Sequence, residues 1–120
     1  MKALVVDDSN VMRRVLIGAL GRAGITEVVE AADGKEAVDA VGQNEFAIIL
    51  MDWNMPNMTG IEAVKAIRAA GVKTPIMMVT TEAEKSRVVD ALKAGANNYV
   101  TKPFEPAAMV KKIQECLGIA

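Results

Sequence analysis

The chain contains no histidine. That removes imidazole acid–base catalysis, serine–histidine–aspartate triads and histidine metal ligands. Its one cysteine, Cys116, cannot close an internal disulfide, which fits a reducing compartment such as the cytoplasm. Aromatic residues make up 3% of the sequence, so Val, Ile, Leu, Ala and eight Met must fill any interior. No apolar run approaches the length needed to span a bilayer. The N-terminal run Ala3-Leu4-Val5-Val6 is cut short by Asp7-Asp8, unlike a secretory leader. The net charge is −1, and no block of basic residues offers a nucleic-acid surface. A cytoplasmic monomer that neither enters a membrane nor binds nucleic acid is the expectation.

What the chain does contain is an alternation. With 120 residues, 52% hydrophobic and 24% charged, it suits one globular domain covering residues 1–120. Short apolar runs alternate with amphipathic stretches, the pattern of an α/β fold. Strands are expected at about Lys2–Asp7, Thr26–Ala31, Phe46–Met51, from Pro75 onward, and Asn98–Thr101. The first, third and fourth are nearly continuous apolar runs, as in strands covered on both faces. Five helices fill the gaps. The first, capped by Ser9 or Asp8, carries an apolar stripe of Val11, Met12, Val15, Leu16, Ala19 and Leu20 and stops at Gly24. Asp33 and Glu36 open a second, bearing Ala37, Val38 and Val41. Thr59-Gly60 opens a third with Ile61, Val64 and Ile67 inward, and Glu82–Ala94 reads as a fourth. Glu105 or Pro106 opens the last, with Met109, Val110, Ile113 and Leu117 inward. If the fold is a flavodoxin-like, doubly wound parallel sheet of order 2-1-3-4-5, right-handed crossovers would put strands 1 and 3 side by side at the centre.

Three apolar runs end in chemistry. Asp7-Asp8 close the first, Asp52 closes the third, and Thr80 closes the fourth. The fifth strand ends in Lys102-Pro103. If these runs are parallel strands, three carboxylates, a hydroxyl and an ammonium gather at the C-terminal edge of the sheet, where open α/β sheets bind ligands. Three close carboxylates repel one another and favour a hard cation, and an all-oxygen set suits Mg²⁺. Each residue also has a plainer use. An Asp after a strand often caps the next helix, and Lys is usually a surface residue. Tyr99 can be a partly buried ring with its hydroxyl at the rim. Trp53 reads as a partly exposed wall of the site. Lys111 and Lys112 read as a solvated helix face, and Cys116 as a small buried or half-buried hydrophobe.

The same residues resemble the receiver domain of two-component response regulators. They are the Asp7-Asp8 pair, Asp52 in the DWNMPNMTG stretch to Gly60, Thr80, and Lys102-Pro103-Phe104 in YVTKPF. The DWNMPNMTG and YVTKPF stretches are most similar to those of single-domain chemotaxis regulators. The resemblance implies that Asp52 accepts a phosphoryl group. It implies that Asp8 and Asp52 bind Mg²⁺ directly, with Asp7 acting through water and the Asn54 backbone carbonyl adding a ligand. It assigns Lys102 to the phosphate, Thr80 and Tyr99 to a conformational switch, and a cis bond to Lys102-Pro103. Thr81 departs from the Ala often found there in chemotaxis regulators. The resemblance implies a histidine kinase as phosphoryl donor, and because this chain has no histidine, any such phosphohistidine must lie on another protein. About one helix follows Lys102, so output is expected through protein–protein binding, with the flagellar motor switch or another phosphorylation-dependent protein as partner.

Three other readings remain open at this point. One is a single-domain receiver in another phosphorelay. Another is an Mg²⁺-dependent phosphohydrolase with an aspartyl-phosphate intermediate, though Asn54 stands where a second carboxylate is usual and no substrate cap is evident. A flavodoxin-like cofactor binder is disfavoured, because the acidic, glycine-free loop Asp7-Asp8-Ser9-Asn10 would repel a phosphate.

Overall fold

The computed structural model describes residues 1–81 and 87–118. Strands β1 (Lys2–Val6), β2 (Glu27–Ala31), β3 (Ile48–Asp52), β4 (Ile76–Thr81) and β5 (Asn98–Lys102) form one parallel sheet. Its order is β2-β1-β3-β4-β5, the order expected of a flavodoxin-like sheet. The helices are α1 (Asn10–Arg22), α2 (Gly34–Gln43), α3 (Gly60–Ala69), α4 (Val88–Ala94) and α5 (Pro106–Leu117). The sequence pattern starts the fourth helix at Glu82; residues 82–86 lie outside the described residues.

The two-residue period of a strand sorts its side chains between the two faces of the sheet. Leu4, Val6, Ile49, Met51, Ile76 and Met78 face α2, α3 and α4, where Ala37, Val64, Ile67 and Ala91 meet them. Ala3, Val5, Ile48, Leu50, Met77 and Val79 face the other way, onto Leu16 and Leu20 of α1 and Met109 and Ile113 of α5. Leu50 is wholly buried in the central strand. Truncating such a residue to Ala costs about 2–5 kcal/mol, because the helices packed over it collapse only partly into the hole.

Local chemistry sets the helix starts. Ser9, not Asp8, caps α1, its hydroxyl accepting from the Met12 amide. Asp33 caps α2 by accepting from Glu36 N at 2.8 Å. Thr59 and Glu62 form a complete capping box on α3. The apolar stripe of α1 is narrower than its sequence period suggests. Leu16, Ala19 and Leu20 are buried, whereas Val11 and Val15 are exposed. The stripe covers more of the helix circumference than the sheet can touch, so its outer edge faces solvent.

Candidate functional site

The register of the central strands builds the site. Val6 pairs with Met51, so the next residues, Asp7 and Asp52, leave the sheet side by side. Asp7 and Asp52 are buried and Asp8 is exposed. One carboxylate oxygen from each of Asp7, Asp8 and Asp52 lies within 4.8 Å of the others. On the far side, Asp52 pairs with Val79, and Thr80 and Thr81 then pair with Thr101 and Lys102. This brings Lys102 back over the carboxylates. Its ammonium stands 3.0 Å from Asp52 Oδ1 and 3.4 Å from Asp7 Oδ2. The Lys102-Pro103 bond is cis.

One ammonium faces three carboxylates, and the imbalance shows in the titration of the pair. Burial pushes the Asp52 carboxyl above its ordinary range, the charge of Asp7 adds to this, and the Lys102 hydrogen bond only partly opposes it. For Lys102, burial pulls the ammonium down, but the Asp52 hydrogen bond and the charges of Asp52 and Asp7 together carry it above the ordinary value. The Asp52 shift thus comes first from burial and then from the neighbouring Asp7 charge, and the Lys102 shift reflects its two anionic neighbours. An all-oxygen, anionic donor set of this kind fits a hard divalent cation.

Neighbouring groups hold the cluster in place. Asp7 Oδ1 accepts from Ser9 N at 2.9 Å, and Asp7 N donates to Ala31 O at 3.1 Å. Arg13 donates to the Asp7 carbonyl and to Asn10, and pairs with Glu30 across 2.9 Å. After Asp52 the chain turns sharply. Gly60 N donates to Trp53 O at 2.8 Å, and a Cβ on Gly60 would meet the Asp52 carbonyl oxygen at 2.1 Å. Only glycine allows α3 to start this close to the end of β3.

Thr80 is fully buried at the end of β4, its hydroxyl 3.3 Å from the Thr81 carbonyl. Tyr99 is half-buried against the α2–α4 side of the core. Lys112 Nζ lies 5.1 Å from the centre of its ring, so Lys112 is not simply solvated as the sequence suggests. Trp53 is also not the partly exposed wall expected. It is 2% exposed and packs into the core with Met55. Asn54 is exposed beside it, in the loop after Asp52. Cys116 is half-buried as expected, and burial pushes its thiol up.

Sequence reasoning missed Arg13 and the pair Asp33–Asn57, joined at 2.8 Å. No local pattern marks the Arg13–Glu30 and Asp33–Asn57 contacts, since each links elements separated in the chain. A cavity of about 350 Å³ between α3 and α4, lined by Ile61, Lys65, Asp90, Lys93 and Ala94, shares no residue with the acidic cluster. Among the described residues, its lining holds no cluster of metal-ligating side chains. Among the described residues, no helix is long and apolar enough to cross a membrane.

The comparisons with known proteins agree with this geometry. A chemotaxis protein CheY homolog of Campylobacter jejuni is 49% identical over 98% of this chain and 93% of its own length. The solved CheY4 of Vibrio cholerae is 41% identical, covering 97% of this chain and 98% of its own, with a TM-score of 0.88. The receiver domain of a Pseudomonas aeruginosa sensor histidine kinase, solved with magnesium in its active-site cleft, is 33% identical over 98% of this chain and 97% of its own, with a TM-score of 0.86. The family profile described as the response regulator receiver domain matches residues 3–114. With the 2-1-3-4-5 sheet and the carboxylates at its C-terminal edge, the chain belongs to the response regulator receiver domain family and is similar throughout to chemotaxis regulators of the CheY type.

Proposed function

We propose that residues 1–120 act as a single phosphoacceptor switch. Asp52 takes a phosphoryl group from a phosphohistidine on a separate kinase, with Mg²⁺ held by Asp7, Asp8, Asp52 and the Asn54 backbone carbonyl. The observation that carries this reading is the ammonium of Lys102 at 3.0 Å from Asp52, beside three carboxylates within 4.8 Å of one another. The likeness to a receiver domain solved with magnesium in its cleft supports the choice of cation.

The chemistry follows from the residues. An Asp52 oxygen attacks phosphorus in line, and the bond from phosphorus to the donor's imidazole nitrogen breaks. The imidazole leaves with that electron pair. Phosphoryl transfer is largely positioning and charge neutralisation. Lys102 swings from its carboxylate partners to a phosphoryl oxygen, and bound Mg²⁺ supplies the remaining positive charge. Burial of Asp52 keeps water from competing and makes the charge interactions stronger than in solvent.

The Thr80 hydroxyl then donates to a phosphoryl oxygen, and Tyr99 turns inward into the space released. The surface formed by α4, β5 and α5 changes shape, and a partner that binds the two states unequally reads the change. The likeness to chemotaxis proteins supports a cytoplasmic role in chemotaxis, with a chemotaxis histidine kinase as donor and the flagellar motor switch as the receiving partner. The chain is a signalling protein that takes part in its own phosphorylation and slow dephosphorylation, rather than an enzyme acting on a separate substrate.

The test is transfer from a phosphohistidine kinase labelled in its phosphoryl group. Label should pass to this chain in Mg²⁺ and stay on the kinase when a chelator removes divalent cations. Equal transfer without divalent metal would overturn the metal assignment.

A further inference from the structure

The loop from Trp53 to Thr59 follows Asp52 directly and carries the Asn54 carbonyl. Three features fix it. Its two ends meet, because Gly60 packs on the Asp52 backbone. Within it, Trp53 and Met55 are buried. Further along, Asn57 sits at φ 68°, a left-handed conformation that Asn tolerates better than most residues. Its side-chain amide donates to Asp33 Oδ2 at 2.8 Å.

Asp33 uses its two oxygens for two different tasks. Oδ1 accepts from Glu36 N and caps α2, while Oδ2 receives Asn57. A helix cap alone needs only one acceptor, which Ser, Thr or Asn supplies equally well. The second oxygen therefore serves the loop. The next residue tightens the joint: a Cβ on Gly34 would meet Met58 Cβ and the Met58 carbonyl oxygen at 2.9 Å. The start of α2 is thus docked against the loop through one hydrogen bond and one close backbone approach.

We propose that Asp33 and Asn57 are positioning residues for the metal site: their hydrogen bond sets the loop so that the Asn54 carbonyl points at the cation held by Asp7, Asp8 and Asp52. This rests on the Mg²⁺ site proposed above. A carbonyl on a loop free to drift loses its ligand geometry, and Mg²⁺ tolerates little departure from an octahedron. Groups that orient metal ligands typically change affinity about 10- to 100-fold when removed.

The experiment is a Mg²⁺ titration of the whole chain, followed by calorimetry and by Trp53 emission. Asn57→Gly keeps the left-handed backbone and deletes only the side chain. Asp33→Ser keeps the cap and deletes the second acceptor. Each should weaken Mg²⁺ binding about tenfold or more, and the double variant should be no weaker than either single one, since both break the same bond. Asp33→Asn should bind within about threefold of wild type, because Asn57 can flip its amide and accept from the new amide group. A purely structural role would lower the melting temperature of the single variants while leaving Mg²⁺ affinity unchanged, and that result overturns the proposal. Failure of wild type to bind Mg²⁺ would instead bring down the metal site, and this inference with it.

Discussion

Lys102 and Asp52, fifty residues apart, meet at 3.0 Å between Nζ and Oδ1. The contact is a consequence of topology, since β4 separates their strands in the sheet. It is also an incomplete compensation, because Lys102 divides its charge between Asp52 and Asp7. Removing it leaves buried carboxylates without their cation. Lys102→Ala should lower metal-free stability by roughly 1–3 kcal/mol in denaturant unfolding, the cost of a buried acceptor stripped of its donor. It should also weaken the gain in partner affinity on phosphorylation. Unchanged stability would show that solvent already compensates both carboxylates.

The raised Asp52 carboxyl has a defined pH signature. A carboxyl whose folded value exceeds its unfolded value binds protons better when folded. Its stabilising contribution is full below the ordinary 3.8 and is lost as pH rises through the folded value. At neutral pH the ionised group therefore costs stability. Asp52→Asn should raise the metal-free melting temperature at pH 7, and the gain should shrink as pH falls through the Asp52 range towards 3.8. Raised Lys102 acts at the other end: its contribution persists through neutral pH and is lost only as pH climbs past the ordinary 10.5 and through its folded value.

Metal should reverse that order. At a Mg²⁺ concentration about 100 times its dissociation constant, wild type gains roughly 2.7 kcal/mol by mass action. Asp52→Asn, lacking one ligand, should gain much less. Thermal melts with and without Mg²⁺ measure both effects, and a parallel shift of the two proteins would exclude Asp52 as a ligand.

Two glycines give a contrast that needs no phosphate. Gly60→Ala forces a Cβ against the Asp52 carbonyl oxygen at 2.1 Å, where backbone must move. It should cost roughly 3 kcal/mol, as overpacking does, and disturb Mg²⁺ binding. Gly18 lies exposed within α1, and a Cβ there would meet nothing within 4 Å. Gly18→Ala should stabilise by about 0.5–1 kcal/mol through helix propensity alone. Urea unfolding of the two variants reads both signs.

The switch can be separated from the chemistry at Thr80, which is fully buried beside the site. Thr80→Ala should still accept phosphate on Asp52 but lose most of the phosphorylation-dependent gain in partner affinity, a coupling on the order of 1–3 kcal/mol. Binding isotherms of a partner with phosphorylated and unmodified protein measure it. A full gain in the variant would refute the Thr80–Tyr99 route while leaving the phosphorylation site untouched.

Much of this architecture is legible in the sequence because apolar runs and their polar ends carry it. Asp7, Asp8, Asp52, Thr80 and Lys102 each close or follow a strand, and the parallel topology alone brings their ends to one edge. Side-chain orientation is less legible. Trp53 reads as a rim residue and lies in the core, because the turn after Asp52 folds back under Gly60. Val11 and Val15 belong to the apolar stripe of α1 but stand beyond the reach of the sheet. The Asp33–Asn57 bond links residues 24 apart through a left-handed turn, and Arg13 reaches Glu30 from another element. Contacts of this kind depend on how elements dock, which neither period nor propensity encodes.

The measurement that bears most directly on the account is the location of the phosphoryl group. The protein should be treated with a small acyl-phosphate donor and Mg²⁺, reduced with borohydride to convert an aspartyl phosphate to a stable alcohol, and mapped by peptide mass spectrometry. The account predicts one modified residue, Asp52, and none in Asp52→Asn. Phosphate found on Ser9, Thr59 or Thr80, or modification that persists in Asp52→Asn, would contradict it.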